Sequence, residues 1–245
     1  MRTFISDLGS FGHLGYQVAV QLRHVWKDRK RLLVQMDHVG VNSIPLVMLV
    51  GFFAGAIIAW QAAYQFRGMV SLDVMGGQAS RVIVMEMGPV LTALVIAGRI
   101  GASMTAEIGT MKVTEQIDAL RTMAIDPVRY IVMPRVVGLS VMMPVLTLFS
   151  NLVGVFGCLI VSGYFLDITP QSFFESIRTT FLVSDLYGGL LKSCLFGVLI
   201  AWIGCFMGLG TTGGAKGVGK ATISSFVLAA ILILVGDFFL WLILF

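Results

Sequence analysis

EIGTMKVTEQIDALRTMAIDPVRYIVMPR, residues 107–135, is a polar island in a chain that elsewhere reads as membrane. Between Lys112 and Ala124 the apolar positions Val113, Ile117, Leu120 and Ala124 recur at three and four residues, while Lys112, Glu115, Gln116 and Asp118 take much of the remaining surface. This spacing predicts a short amphipathic helix of about three turns. Asp126 and Pro127 are expected to end it, and Tyr130 opens the return to apolar sequence. Such a helix between two spans has two uses: it lies along the headgroups, or it fits a groove on a cytoplasmic engine. For the second, Glu115 and Asp118 with their basic neighbours offer docking by complementary charge.

On both sides of the island the composition is that of a membrane protein. The 245 residues are 57% hydrophobic and 12% charged, about half the charged share of a soluble domain. A span needs roughly 20 apolar residues. The uncharged run Ile44–Phe66 meets that length, as does Val136–Leu166, in which Pro144 is the expected bend. Three further spans carry one charge each: Met87–Ala106 with Arg99, Leu186–Met207 with Lys192, and Ala221–Phe245 with Asp237. Unpaired backbone groups are too costly in lipid for anything but helices or closed barrels, and the alternating segments of a barrel are missing. The expected fold is an all-α integral membrane protein of five transmembrane helices. An interfacial amphipathic helix precedes them, and a short cytoplasmic coupling helix joins spans two and three. Residues 1–43 are expected to form an amino-terminal segment and 44–245 the membrane domain.

Basic residues set the expected orientation. Arg2, Arg23, Lys27, Arg29, Lys30 and Arg31 precede the first span, Lys112, Arg121, Arg129 and Arg135 lie in the island, and Lys216 and Lys220 precede the last span. Only Arg67, Arg81 and Arg178 fall on the opposite side, which places the amino terminus in the cytoplasm and the carboxyl terminus outside. The net charge of +4 is therefore a topological signal and not a sign of nucleic-acid binding. The amino-terminal segment lacks the pattern of a cleaved signal peptide. Phe4, Leu8, Phe11, Leu14 and Val18 instead recur at a helical period before WKDRKR, as in a helix lying at the interface.

Charges inside the spans are candidate functional residues by default. Arg99 sits among small residues and calls for an acid, carbonyls or water, as a structural clamp or a substrate contact. Glu107 is two turns away, too far along the axis for a direct pair. Arg99, Glu107 and Asp237 are the candidates for a buried charge network. Glu86, beside Pro89 at an expected first turn, reads as a helix cap, a headgroup contact or a gate. Lys192 is placed to snorkel to the outer interface. Cys158, Cys194 and Cys205 lie within spans without CxxC spacing, and His13, His24 and His38 form no ligand set, so no metal site is expected. Hydrolytic signatures are missing too. GLGTTGGAKGVGKAT, residues 208–222, only imitates a nucleotide loop, because Ala221 stands where a hydroxyl residue is required; it reads as a flexible cytoplasmic connection.

The first span carries Gly51, Ala54, Gly55, Ala56, Ala59, Ala62 and Ala63 beside Phe52, Phe53, Ile57, Ile58 and Trp60, with Gln61 and Gln65 in its outer half. Its small face suits a neighbouring helix or the wall of a cavity for an amphipathic substrate.

EMGPVLTALVIAGRIGASMTAEIGTMKVTEQIDAL (86–120), MAIDPVRYIVMPR (123–135) and TTGGAKGVGKAT (211–222) together resemble the MlaE-like permeases, also called the YrbE family, of lipid-transporting ABC systems associated with MCE proteins. Ser103, Met104 and Thr105 depart mildly from the family's commonest block. The resemblance implies a homodimeric permease in the bacterial inner membrane, two cytoplasmic ABC ATPase subunits that bind ATP and Mg, and periplasmic MCE subunits, expected as a hexamer. A cytoplasmic STAS-domain subunit is a possible accessory. The implied substrate is phospholipid or a related lipid moved between inner and outer membranes, in keeping with outer-membrane lipid asymmetry. This chain itself would bind no cofactor and have no ATPase site. The resemblance assigns Lys112, Glu115, Gln116, Asp118 and Leu120 to ATPase coupling, and Phe52, Gly55, Ala59, Gln61 and Glu86 to a lipid pocket at the dimer interface. An ion-coupled secondary transporter using Glu86, Arg99 and Asp237 is one alternative, and a nontransporting scaffold for MCE proteins is another.

Overall fold

The computed structural model describes residues 2–25, 28–66 and 72–244. Lys27 and Arg67 of the basic count, the side chains of Phe4 and Leu8, and Phe245 at the end of the last span lie outside the described residues. The described chain is α-helical without strands, and five helical runs are long and apolar enough to cross a membrane: 29–65, 76–113, 128–165, 183–209 and 214–244. The fold is that of an all-α integral membrane protein.

Eleven α-helices are described: α1 (Arg2–Gln21), α2 (Arg29–Val39), α3 (Ile44–Phe66), α4 (Leu72–Val82), α5 (Gly88–Ile96), α6 (Ala102–Val113), α7 (Gln116–Thr122), α8 (Met133–Phe165), α9 (Pro170–Thr180), α10 (Val183–Leu209) and α11 (Gly214–Leu244). Three π turns join or extend them, at Ile83–Met87, Ala97–Gly101 and Val128–Val132. Span two is thus one continuous helical run, α4–α5–α6. Its start lies well before the expected Met87, so Pro89 is mid-helix and Glu86 caps no helix end. A further departure is the glycine-rich stretch, which is mostly the first turns of α11. Only Gly213 and Gly214 take positive φ, at 86° and 67°, and make the turn; Gly217 sits so close to the backbone of Thr212 that a Cβ would collide there.

The chain folds as two compact units. The first contains residues 1–41, 96–142 and 196–235. Here α1 lies against α10: Phe11 stacks on Trp202 at 4.8 Å between ring centroids, Gly15 gives that indole room, and Leu14 and Val18 are buried. Phe11, Leu14 and Val18 of the apolar stripe are therefore spent on protein packing, not only on an interface with lipid. α6 packs on α10 where Gly204 and Gly208 admit Thr105 and Ile108, and Thr105 Oγ1 lies 3.2 Å from Gly204 O and 2.9 Å from Ser225 Oγ of α11.

The second unit contains residues 42–95, 143–195 and 236–245. Its α3 packs on α8 through small residues, with Gly51 against Ser150, Gly55 against Gly154, and Gly157 against Phe52. α4 packs on α9, where Gly77 N donates to Ser176 Oγ at 2.8 Å and Phe173 fills the space over Gly76. Thr169 caps α9 by accepting from Ser172 N, with Pro170 at the first helical position. Ala59, Ala79, Ile83, Cys158, Ile168 and Phe173 form the core of this unit.

The α3–α8 contact yields a sharp expectation. A Cβ on Gly55 would fall within the carbonyl of Gly154, which is backbone and has no rotamer to yield. Gly55→Ala is expected to destabilise the protein by about 1–3 kcal/mol, the usual cost of overpacking. Thermal unfolding in detergent reads this directly. Unchanged stability would show that the two helices are not in backbone contact.

Candidate functional site

Two places in the chain concentrate functional chemistry. The first is a charged cluster within the second unit. Gly189 of α10 lies against Val84 O and Pro89, so α10 approaches span two closely at this level. Lys192 follows one turn later and reaches Glu86, with Nζ donating to Oε1 at 2.5 Å. The same Nζ lies 3.1 Å from Asp237 Oδ1 of α11, an ion-pair distance without hydrogen-bond alignment. Lys192 is fully buried, whereas each carboxylate side chain is 20% exposed. The lysine therefore stands behind two acids that reach the surface of the chain. Formally the cluster carries one net negative charge.

Lys192 does not snorkel. The fourth span begins at Val183 and not at Leu186, so Lys192 is about 14 Å along the helix at 1.5 Å per residue, beyond reach of that interface. Close by, the Asn151 side chain of α8 lies against Gly88, two residues after Glu86, and neither its Oδ1 nor its Nδ2 has a partner among the described residues. Thr92 and Thr147 of the same unit also bury unpartnered hydroxyls. Buried polar atoms without partners are rare in native interiors and point to a ligand, ion or water. Glu86 itself lies in the π turn Ile83–Met87, the kind of helix irregularity that recurs at functional sites.

Two members of the expected grouping of Arg99, Glu107 and Asp237 have ion-pair partners outside it. Glu107 pairs with Arg135 at the start of α8, Nη2 to Oε2 at 2.8 Å, in the first unit. Asp237 belongs to the lysine cluster in the second. Arg99 is exposed within the π turn Ala97–Gly101. The first-span candidates also divide. Gly55 and Ala59 are buried against the chain's own α8 and core, and Phe52 is half-buried there. Gln61 is exposed, on the side of α3 that carries Leu49, Phe53, Ile57, Trp60 and Tyr64.

The second place is the polar island. Its helix is shorter than the expected run 112–124: α6 continues to Val113, and α7 is the seven residues Gln116–Thr122. The break is at Glu115, whose φ of 61° is left-handed, and Ala124 at 58° closes α7 with Ile125 N bonded to Leu120 O. Asp126 and Pro127 start the next run, with Val128 N donating to Asp126 Oδ1 at 2.9 Å. Ile117 is buried and holds α7 down, while Lys112 and Arg121 both bind Asp118, at 3.0 and 3.3 Å. Asp118 is therefore committed within the island, and Leu120 is half-buried. Glu115, Gln116, Ala119 and Met123 are the exposed side, with Met123 62% exposed.

Comparison with known proteins decides what this arrangement belongs to. The family described as Permease MlaE matches residues 32–243, nearly the whole chain. The chain belongs to the MlaE permease family. Relatives agree: a "Probable ABC transporter permease protein" of Synechocystis is 43% identical over 216 residues, covering 88% of this chain and 82% of its own length. A protein of the same description from Rickettsia conorii is 36% identical over 235 residues, 96% of this chain and 91% of its own. Another from Pyropia yezoensis is 33% identical over 240 residues, 98% and 91%. The protein is thus a multi-pass permease subunit of an ABC transporter. In that setting α7 is a short helix outside the long apolar runs, and Glu86, Lys192 and Asp237 form a charged cluster inside them.

Proposed function

We propose that this permease moves phospholipid, or a lipid like it, between the bacterial inner membrane and the outer membrane through periplasmic MCE-domain subunits. Two copies of the chain act with two cytoplasmic ATPase subunits, which bind ATP and Mg. The observation that carries the lipid reading is the Glu86–Lys192–Asp237 cluster. Two carboxylates open to the surface and a lysine behind them lie in otherwise apolar helices, which suits a substrate with one polar end and long apolar ones. The ammonium or hydroxyl groups of a headgroup meet the carboxylates, and the acyl chains lie along exposed apolar faces such as Phe53, Ile57 and Trp60. The excess of basic residues flanking spans one, three and five supports a cytoplasmic α7, where the ATPase pushes on its exposed side. ATP binding and hydrolysis then move lipid only insofar as the two permease conformations differ in lipid affinity.

Purification of the permease with its ATPase, followed by extraction and mass spectrometry of the bound lipids, tests this reading. Phospholipid is expected at a fixed ratio to the dimer, reduced about tenfold in Glu86→Gln and in Asp237→Asn, a loss of roughly 1.4 kcal/mol. Lipid recovery identical in the wild type and both variants would remove the cluster from the substrate path.

A further inference from the structure

Outside that cluster, the first unit carries a groove of about 370 Å³ lined by Lys30, Arg31, Val34, Gln35, Met111, Tyr130, Ile131, Pro134 and Arg135. It lies where α2 and α8 begin and α6 ends, at the ends of membrane-spanning runs. We propose that this groove is a binding site for the phosphodiester headgroup of an anionic phospholipid of the surrounding bilayer, separate from the transported cargo.

Three observations carry it. The first is charge. Asp28 is the one carboxylate shared by Arg31 and Arg129, at 3.3 and 3.0 Å, and Glu107 is matched to Arg135, so these three cations with Lys30 exceed their acids by two. The second is Arg135, only 8% exposed. Its Nη2 is bound to Glu107, but its Nε is buried with no partner among the described residues, in a side chain that lines the groove. A buried guanidinium N–H without an acceptor is costly, and a phosphate oxygen is the acceptor that arginine geometry favours. The third is amphipathicity. Arg31 lies over the Tyr130 ring at 4.1 Å, while Val34, Met111, Ile131 and Pro134 form an apolar wall, and Val34 is 66% exposed. Soluble phosphate has no use for that wall; a headgroup with its first acyl carbons does. Basic side chains at the membrane surface attract anionic lipid at about fivefold per charge.

The test uses the full-length permease with its ATPase, released from bilayers of phosphatidylcholine containing a minor share of phosphatidylglycerol and examined by native mass spectrometry. The wild type is expected to retain phosphatidylglycerol over phosphatidylcholine. Lys30→Gln with Arg31→Gln, at exposed positions, is expected to lower that retention about 25-fold, two charges at about fivefold each. Val34→Glu, which adds one anion to the wall, is expected to lower it about fivefold. Loss in Glu86→Gln but not in the groove variants would identify the retained lipid as cargo and overturn the site. Equal retention of the two lipids by the wild type would overturn it too. So would displacement of the lipid by millimolar inorganic phosphate, which assigns the groove to a soluble anion, or crosslinking of Lys30 to the ATPase, which assigns it to a protein contact.

Discussion

Lys192→Met is expected to destabilise the permease by about 3–5 kcal/mol, the cost of removing one partner from a buried ion pair and leaving its counter-charges unmatched. The substitution keeps the volume and loses the ammonium. Glu86 and Asp237 then face each other in an apolar surrounding with two negative charges and no cation between them. Melting in detergent should fall by an amount on the order of 10 °C. The triple variant Glu86→Gln, Lys192→Met, Asp237→Asn removes the charges together, and most of the stability is expected to return, because neutral replacement of a buried ionic group is often close to neutral in free energy. That recovery separates the cluster from ordinary packing: if the triple variant is as unstable as the single one, Lys192 contributes by filling space.

The second large effect concerns α7. Ala119→Glu with Met123→Glu changes only the exposed side of the island, leaving Ile117 buried and the Lys112–Asp118–Arg121 pairs in place. ATPase recovery with the tagged permease is expected to fall at least about tenfold, roughly 1.4 kcal/mol of interface energy. Lipid bound to the permease should be unaffected, and so should its melting temperature. Normal assembly together with normal ATP-driven lipid movement would place the ATPase contact elsewhere on the chain.

Much of this architecture is legible in sequence because membrane spans declare themselves by length: Ile44–Phe66 and the apolar core of each other span fall where they were expected. Their limits were not legible. α4, LDVMGGQASRV, mixes charge, glycine and apolar residues, and it continues span two only because its glycines let α9 lie against it. The break before α7 is hidden in the sequence for a related reason. Left-handed turns announce themselves through glycine, and here Glu115 and Ala124 occupy them. In the glycine-rich stretch before α11 the opposite happened: many glycines suggested a loop, and two of them made the turn.

The charged residues show a different limit. Glu86, Lys192 and Asp237 were each visible as charges in or near spans, but they lie on three helices, and Glu86 and Lys192 are separated by 106 positions. No local period encodes that meeting. The one signal is the depth of Lys192, which follows from the start of the fourth span at Val183. Likewise the small face of α3 was legible as a packing surface, but the sequence could not say whether its partner was α8 of the same chain or a second copy.

Transfer of labelled phospholipid by the reconstituted permease, ATPase and MCE subunits, between donor and acceptor vesicles, tests the central claim most directly. The account predicts transfer that requires ATP, is lost with Glu86→Gln, and is indifferent to proton or sodium gradients. Transfer by the permease alone under an ion gradient, or ATP hydrolysis by the assembled complex with no lipid moved, would contradict it.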